Sequence, residues 1–194
     1  MTTNYQAEFK TVDLILASDA VTRGVDAFAL CLIKCERQLR RLVTYLVFQS
    51  PAFAIEHVEA LRRALLNSNR VYFEGFEKGF DTLYSRTVRE LIGPQYPAIR
   101  VRLTEATQYR NKIFHGQLSA ESLSREQLIQ LVTTIRDWCE RLANSAQEEI
   151  GYDGFGRDSF RKSDKPHFSD HLKIRFENVE AYATFIRDYL ERAR

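Results

Sequence analysis

Apolar residues recur every three or four positions along most of this chain, and that spacing constrains the fold more than any other feature. Such spacing lays one apolar stripe along an α-helix. It is clearest between Val25 and Phe48 and returns over 55–66, 71–92, 97–114 and after Ser124. Only eight glycines and four prolines occur in 194 residues, which favours long regular elements. The sequence therefore predicts an all-α helical bundle.

The composition divides the chain into three segments. Residues 1–23 form a leading segment, which we expect to pack weakly as a short helix, and residues 24–149 form the bundle. In 150–194 a loop of glycines, aromatics and basic residues precedes a last helix, and we expect this appendage to pack on the bundle. Alternation over 172–176 is compatible with a short strand. Ser124-Arg125-Glu126-Gln127 is typical of a capping box that starts a helix.

Charge and cysteine content narrow the classes of function. A net charge of +2 gives no overall field typical of a nucleic-acid binder, so any basic surface must be local. No apolar run approaches the length of a membrane span, and the first residues do not resemble a signal peptide. The three cysteines lack metal-ligand spacing, and Cys31 and Cys35 are interpreted as core residues. We expect a cytoplasmic protein without cofactor or metal.

The segment from Arg110 to His115 closes the fourth predicted helix and is followed by Gly116. An arginine fork suits phosphate oxygens, and histidine exchanges protons near neutral pH. RNA carries its own nucleophile, the 2′-hydroxyl, so cleavage needs an acid, a base and cationic donors. Arg110 and His115 are therefore the predicted catalytic pair, with Asn111 as a supporting polar residue. One imidazole cannot be the acid and the base in the same transition state. We therefore expect a two-fold dimer to supply a second histidine.

Helical spacing places Arg110 on the same face as Leu103 and Ala106, inside the apolar stripe. This position predicts that the arginine faces a partner molecule and not the core. The alternative is a salt-bridged arginine followed by a histidine that caps the helix end.

Arg110-Asn111-Lys112-Ile113-Phe114-His115, at the end of a helix in an all-helical bundle, resembles the Arg, polar, three any, His signature of the HEPN superfamily (higher eukaryote and prokaryote nucleotide-binding). The resemblance covers roughly residues 24–145. It implies a metal-independent endoribonuclease that leaves a 2′,3′-cyclic phosphate, with its active site at a homodimer interface. Such proteins serve as toxins or phage-defence effectors, so RNA such as tRNA is the implied substrate, and an antitoxin or nucleotidyltransferase is an implied partner.

The chain departs from some family toxins, which carry a tyrosine two positions after the histidine, where this chain has Gln117. That departure weakens the expectation of neutralisation by a nucleotidyltransferase. Some relatives bind nucleotide or protein without cutting RNA, so a non-catalytic helical binding module is the alternative function.

The loop after Gly151 is a second candidate for RNA contact. Tyr152, Phe155 and Phe160 would stack on bases. The basic residues Arg157, Arg161 and Lys162 would contact phosphates. The alternative is that its aromatic residues simply dock the loop on the bundle.

The basic residues of the second and third helices are interpreted as solvated faces. Contact with a phosphate backbone is left open for them. They are Arg37, Arg40, Arg41, Arg62 and Arg63.

Overall fold

The computed structural model describes residues 4–68, 71–114 and 123–191. Its helices in chain order are α1 (Asn4–Ala17), α2 (Arg23–Phe48), α3 (Val58–Leu66), α4 (Phe73–Leu83), α5 (Val88–Ile92), α6 (Tyr96–Phe114), α7 (Arg125–Ile150) and α8 (Val179–Phe185). Short 3-10 turns cover Ile55–His57 and Phe168–His171, and a π-helical turn covers Ile186–Leu190. The prediction of an all-α bundle is confirmed.

The long helices α2 and α7 form the centre of the bundle. α2 packs against α1, α4 and α7, while α5 and α6 pack against α7. Trp138, Phe28 and Phe80 are fully buried between these helices. Cys31 and Cys35 are buried free thiols, as their interpretation as core residues predicted, and Cys139 is also a buried free thiol. One apolar core therefore unites the helices, because their stripes all face the same centre.

Capping boxes fix the starts of two of the α-helices. Ser124 Oγ accepts a hydrogen bond from the Gln127 backbone N–H (3.2 Å), and Gln127 Oε1 accepts one from the Ser124 N–H (2.7 Å). The predicted capping box is thus confirmed. A second capping box, between Thr87 and Glu90, starts α5. It divides the single helix predicted over 71–92, and that prediction was wrong because the cap of α5 was overlooked.

The leading segment packs tightly, contrary to expectation. Phe9 and Val12 of α1 are fully buried, and Tyr5 is nearly so. Glu8 forms an ion pair of 2.8 Å with Lys34 of α2, a lysine that is almost wholly buried. α1 is therefore part of the bundle, because its apolar residues follow the same three-four spacing as those of the other helices.

The last described residues close the bundle on the side of α4. Leu190 lies so close to α4 that a Cβ atom at Gly75 would collide with its carbonyl oxygen. A Cβ atom at Gly79 would lie 2.7 Å from Leu190 Cδ1. The alternation over 172–176 forms no strand in the described ranges, because only Leu172 pairs, in an isolated bridge with Tyr84.

None of the helices in the described ranges combines the length and the apolar character needed to cross a membrane.

Candidate functional site

Arg110, four residues before the end of α6, forms an ion pair within its own chain. Its Nη1 donates to Glu36 Oε2 of α2 at 3.0 Å, and the two side chains are 19% and 31% exposed. The structure therefore agrees with the alternative of a salt-bridged arginine. The position of Arg110 on the apolar stripe no longer argues by itself for a facing partner molecule.

The rest of the motif is only partly described. Asn111 belongs to α6, while His115 and Gly116 lie outside the described residues. The convergence of Arg110 with His115 and Asn111 on one phosphate stays a prediction.

The loop after Gly151 docks its aromatic rings on the bundle. Tyr152 and Phe155 are each 4% exposed. Tyr152 stacks on Tyr45 with ring centroids 4.9 Å apart, and Phe155 meets Phe9 edge-on at 5.8 Å. The prediction that these two rings stack on RNA bases was wrong, because both contribute to the apolar core and neither offers a face to a ligand.

Buried polar contacts hold this loop against α2. Gln38 Nε2 donates to the carbonyl oxygens of Cys139 (3.0 Å) and Asp153 (3.1 Å). Arg41 Nη1 donates to the Phe155 carbonyl at 2.6 Å. These hydrogen bonds hold the loop in place beside α2.

The three basic residues predicted to contact phosphate have different surroundings. Lys162 Nζ donates to the carbonyls of Phe48 (2.5 Å) and Ser50 (2.8 Å), so the lysine binds the C-terminal end of α2. Partial burial lowers the pKa of Lys162. Arg161 is exposed, and its carbonyl accepts from Gln49 Nε2 at 2.9 Å. Arg157 is also exposed, but it lines a cavity.

That cavity lies between α2, α3 and residues 157–160, and we call it the arginine cleft. It has a volume of about 610 Å³ and is lined by Arg40, Arg41, Arg62 and Arg157 together with apolar residues from α2, α3, α4 and α8. Positions 36, 40 and 44 of α2 line it because residues four apart share one helix face.

The charge of the arginine cleft is not neutralised by the described part of the chain. None of its four arginines forms an ion pair with a carboxylate there, whereas Arg100 pairs with Glu77 and Arg136 with Asp13. Glu36 is the single acidic residue among the described lining residues, and it pairs with Arg110. The Glu36 carboxylate therefore connects the arginine cleft to Arg110, the arginine of the motif.

Sequence reasoning missed the cleft and interpreted Arg40, Arg41 and Arg62 as solvated faces. A signal was present on α2, where Glu36, Arg40 and Thr44 follow at four-residue spacing. That this face of α2 lies opposite α3 and Arg157 depends on contacts between residues that are distant in sequence.

Comparison with known proteins gives no relative: neither a family model, nor a curated protein, nor a solved structure matches this chain. Within the described ranges, no group of three or more histidine, cysteine, aspartate or glutamate side chains is placed to hold a metal ion.

Proposed function

We propose that this chain is a metal-independent endoribonuclease of the HEPN type. Arg110 stabilises negative charge on the phosphorane, His115 transfers protons, and Asn111 helps to hold the phosphate. The supporting observation is that Arg110 adjoins a cleft with four unneutralised arginines, through its ion pair with Glu36. A basic concave surface beside a motif arginine suits an RNA substrate.

In this reaction the 2′-hydroxyl of RNA loses its proton to a base and attacks the adjacent phosphorus. The O2′–P bond forms and the P–O5′ bond breaks, which gives a 2′,3′-cyclic phosphate, while an acid protonates the leaving 5′-oxygen. A homodimer supplies the second histidine, so that one copy of His115 is the base and the other the acid. The substrate phosphate competes with Glu36 for the Arg110 guanidinium.

The proposed setting is a cytoplasmic toxin or phage-defence effector that acts on RNA, tRNA among the candidates. An antitoxin partner would restrain it, and a nucleotidyltransferase is a less favoured partner because Gln117 replaces the tyrosine of some family toxins.

The test is incubation of the purified protein with total tRNA and a labelled single-stranded RNA in EDTA. Arg110→Ala and His115→Ala are compared with Arg89→Ala, a control at an exposed arginine on α5. We expect cyclic-phosphate ends from the wild type and the control, and a loss of about 10²–10⁴-fold for His115→Ala. Sedimentation measures whether the active form is a dimer. Intact RNA with every substrate, or cleavage that survives both motif substitutions, would contradict the proposal.

The Arg110–Glu36 ion pair favours a second candidate, a non-catalytic binding module. In that case Arg110 stabilises the contact between α6 and α2, and the cleft binds an anion without reaction. His115→Ala would then leave both RNA and growth of the expressing cells unaffected, whereas a toxic wild-type protein whose variant is harmless would argue for the ribonuclease.

A further inference from the structure

We propose that the arginine cleft is a docking site for an acidic segment of another protein. Carboxylates of the segment contact the arginines, and one of its aliphatic side chains contacts Leu66. This proposal goes beyond the ribonuclease and does not rest on it, because peptide binding is measurable without any cleavage.

The positions of the four arginines favour a chain that carries several negative charges. Arg40 and Arg41 come from α2, Arg62 from α3, and Arg157 from residues 157–160. Like charges from three elements repel one another across one space, and no carboxylate in the described part of the chain forms an ion pair with them. Carboxylates spaced along a polypeptide reach all three elements, and each accepts the two parallel hydrogen bonds that a guanidinium donates.

The structure holds two of these guanidinium groups in place. Arg41 is fixed by its hydrogen bond to the Phe155 carbonyl, and the Arg62 guanidinium carbon lies 5.0 Å from the centre of the Phe160 ring. Side chains restrained in advance lose less conformational entropy when a partner binds.

The exposed apolar surface of the cleft is aliphatic. Leu66, at the end of α3, is 73% exposed, and Leu65 and Val71 are half-buried in the same lining. An exposed leucine gains free energy when an apolar side chain of a partner covers it. Arginines around an apolar anchor are typical of protein–protein interfaces.

The aromatic residues of the cleft favour a protein segment over an RNA strand. Phe76 and Tyr182 are at most 3% exposed. Phe160 lies against the Arg62 guanidinium and meets Phe48 edge-on, with ring centroids 5.6 Å apart. Bases of single-stranded RNA stack on open rings, and the described lining of the cleft offers none. RNA would therefore use only the arginines of the cleft, whereas an acidic protein segment also uses its aliphatic surface.

The size of the cleft suits a short segment. Its volume of about 610 Å³ is within the range of sites that take small ligands, so a few side chains fill it. Clusters of arginines recognise acidic motifs through such short segments.

The experiment selects peptides from a random library displayed on phage, with the full chain immobilised. The most enriched peptide is synthesised, and its binding is measured by fluorescence anisotropy. Arg62→Gln with Arg157→Gln removes two charges from the cleft, and Leu66→Ser removes the exposed leucine. The matched control is Arg89→Gln with Arg187→Gln, which removes two exposed arginines outside the cleft that also lack an ion pair with a carboxylate in the described ranges. Circular dichroism confirms that each variant is folded.

We expect the enriched peptides to combine several carboxylates with an aliphatic residue. The double arginine variant should bind about tenfold or more weakly, and Leu66→Ser about threefold or more weakly. The control should bind like the wild type. Any of four results overturns the proposal: no peptide is enriched, the enriched peptides are not acidic, the double variant binds like the wild type, or Leu66→Ser does.

A labelled single-stranded RNA is measured with the same variants. RNA binding that is lost in the double variant, with no acidic peptide enriched, would overturn this proposal and leave the ribonuclease standing. Peptide binding with the expected losses, in a protein that cuts no RNA, would support this proposal and contradict the ribonuclease alone.

Discussion

Glu36 of α2 and Arg110 of α6 are 74 positions apart in sequence, and their ion pair of 3.0 Å joins the arginine cleft to the motif at the end of α6. Both side chains are partly shielded from water, at 31% and 19% exposure. Their attraction is therefore less screened by salt than that of a fully exposed pair.

The first prediction concerns the stability of that ion pair. A double-mutant cycle with Glu36→Gln and Arg110→Gln should give a coupling of about 1 kcal/mol in the free energy of unfolding, because the pair is partly buried. Urea denaturation measures it. The control is the exposed pair Arg63–Glu59, whose coupling should be smaller and should decrease more in high salt. Equal coupling in the two pairs would show that burial contributes nothing.

Lys162 should stabilise the fold and should not be needed for ligand binding. Lys162→Met removes two hydrogen bonds to carbonyls at the end of α2 and is expected to cost about 1 kcal/mol of the free energy of unfolding. Lys10→Met, at an exposed lysine of α1, is the control and should change stability little. A Lys162→Met protein with wild-type stability and impaired RNA binding would restore the role that the sequence predicted.

Asp81 should make stability depend on pH. Burial raises the pKa of its carboxyl from 3.8 to about 6, although a hydrogen bond of 2.6 Å from the Val88 N–H opposes the shift. The folded state then binds the proton more tightly than the unfolded state, so the contribution of Asp81 to stability falls as pH rises from about 4 to 6. Above about pH 6 the loss of stability caused by Asp81 stays constant.

Asp81→Asn removes this dependence and retains an oxygen that accepts from Val88. Because Asp81 is only half-buried, we expect a gain of about 1 kcal/mol at about pH 7 and almost none at about pH 4. Urea denaturation at both pH values measures the difference, with Asp19→Asn as an exposed control. An effect of the same size at both pH values would contradict the raised pKa of Asp81.

Gly75 and Gly79 should respond differently to alanine. A Cβ atom at position 75 meets backbone of Leu190, which cannot move alone, whereas one at position 79 meets the end of its flexible side chain. We expect Gly75→Ala to destabilise by about 1–3 kcal/mol through overpacking. At Gly79 the helical preference of alanine, worth about 1 kcal/mol, should offset most of the cost. Thermal unfolding distinguishes them, and equal melting temperatures would refute the close approach at Gly75.

Most of the fold could be predicted because helix signals are local. The apolar spacing of α2, the helix leading to Phe114 and the Ser124 cap all lie within a few turns of one helix. The break between α4 and α5 also had a local signal, Thr87 followed three positions later by Glu90, which the aromatic spacing over 71–92 obscured.

The site was less predictable because its contacts are distant in sequence. The apolar stripe indicated an unusual environment for Arg110, but only the packing of α6 on α2 shows Glu36 as its partner. Composition indicated that Tyr152 and Arg157 share a basic, aromatic loop. It could not show that the ring enters the core while the guanidinium lines a cleft, because both side chains are common on RNA-binding surfaces and on docked loops alike.

The close approach of Leu190 to Gly75 and Gly79 also supplies a criterion for common ancestry. A protein that shares this packing must keep the smallest residue at the position of Gly75, where the obstacle is main chain. At the position of Gly79 alanine meets only the flexible end of the Leu190 side chain, but a residue larger than alanine requires a smaller one in place of Leu190, so those two positions should vary together across a lineage. Such paired variation would identify distant homologues of this fold even where overall identity has been lost.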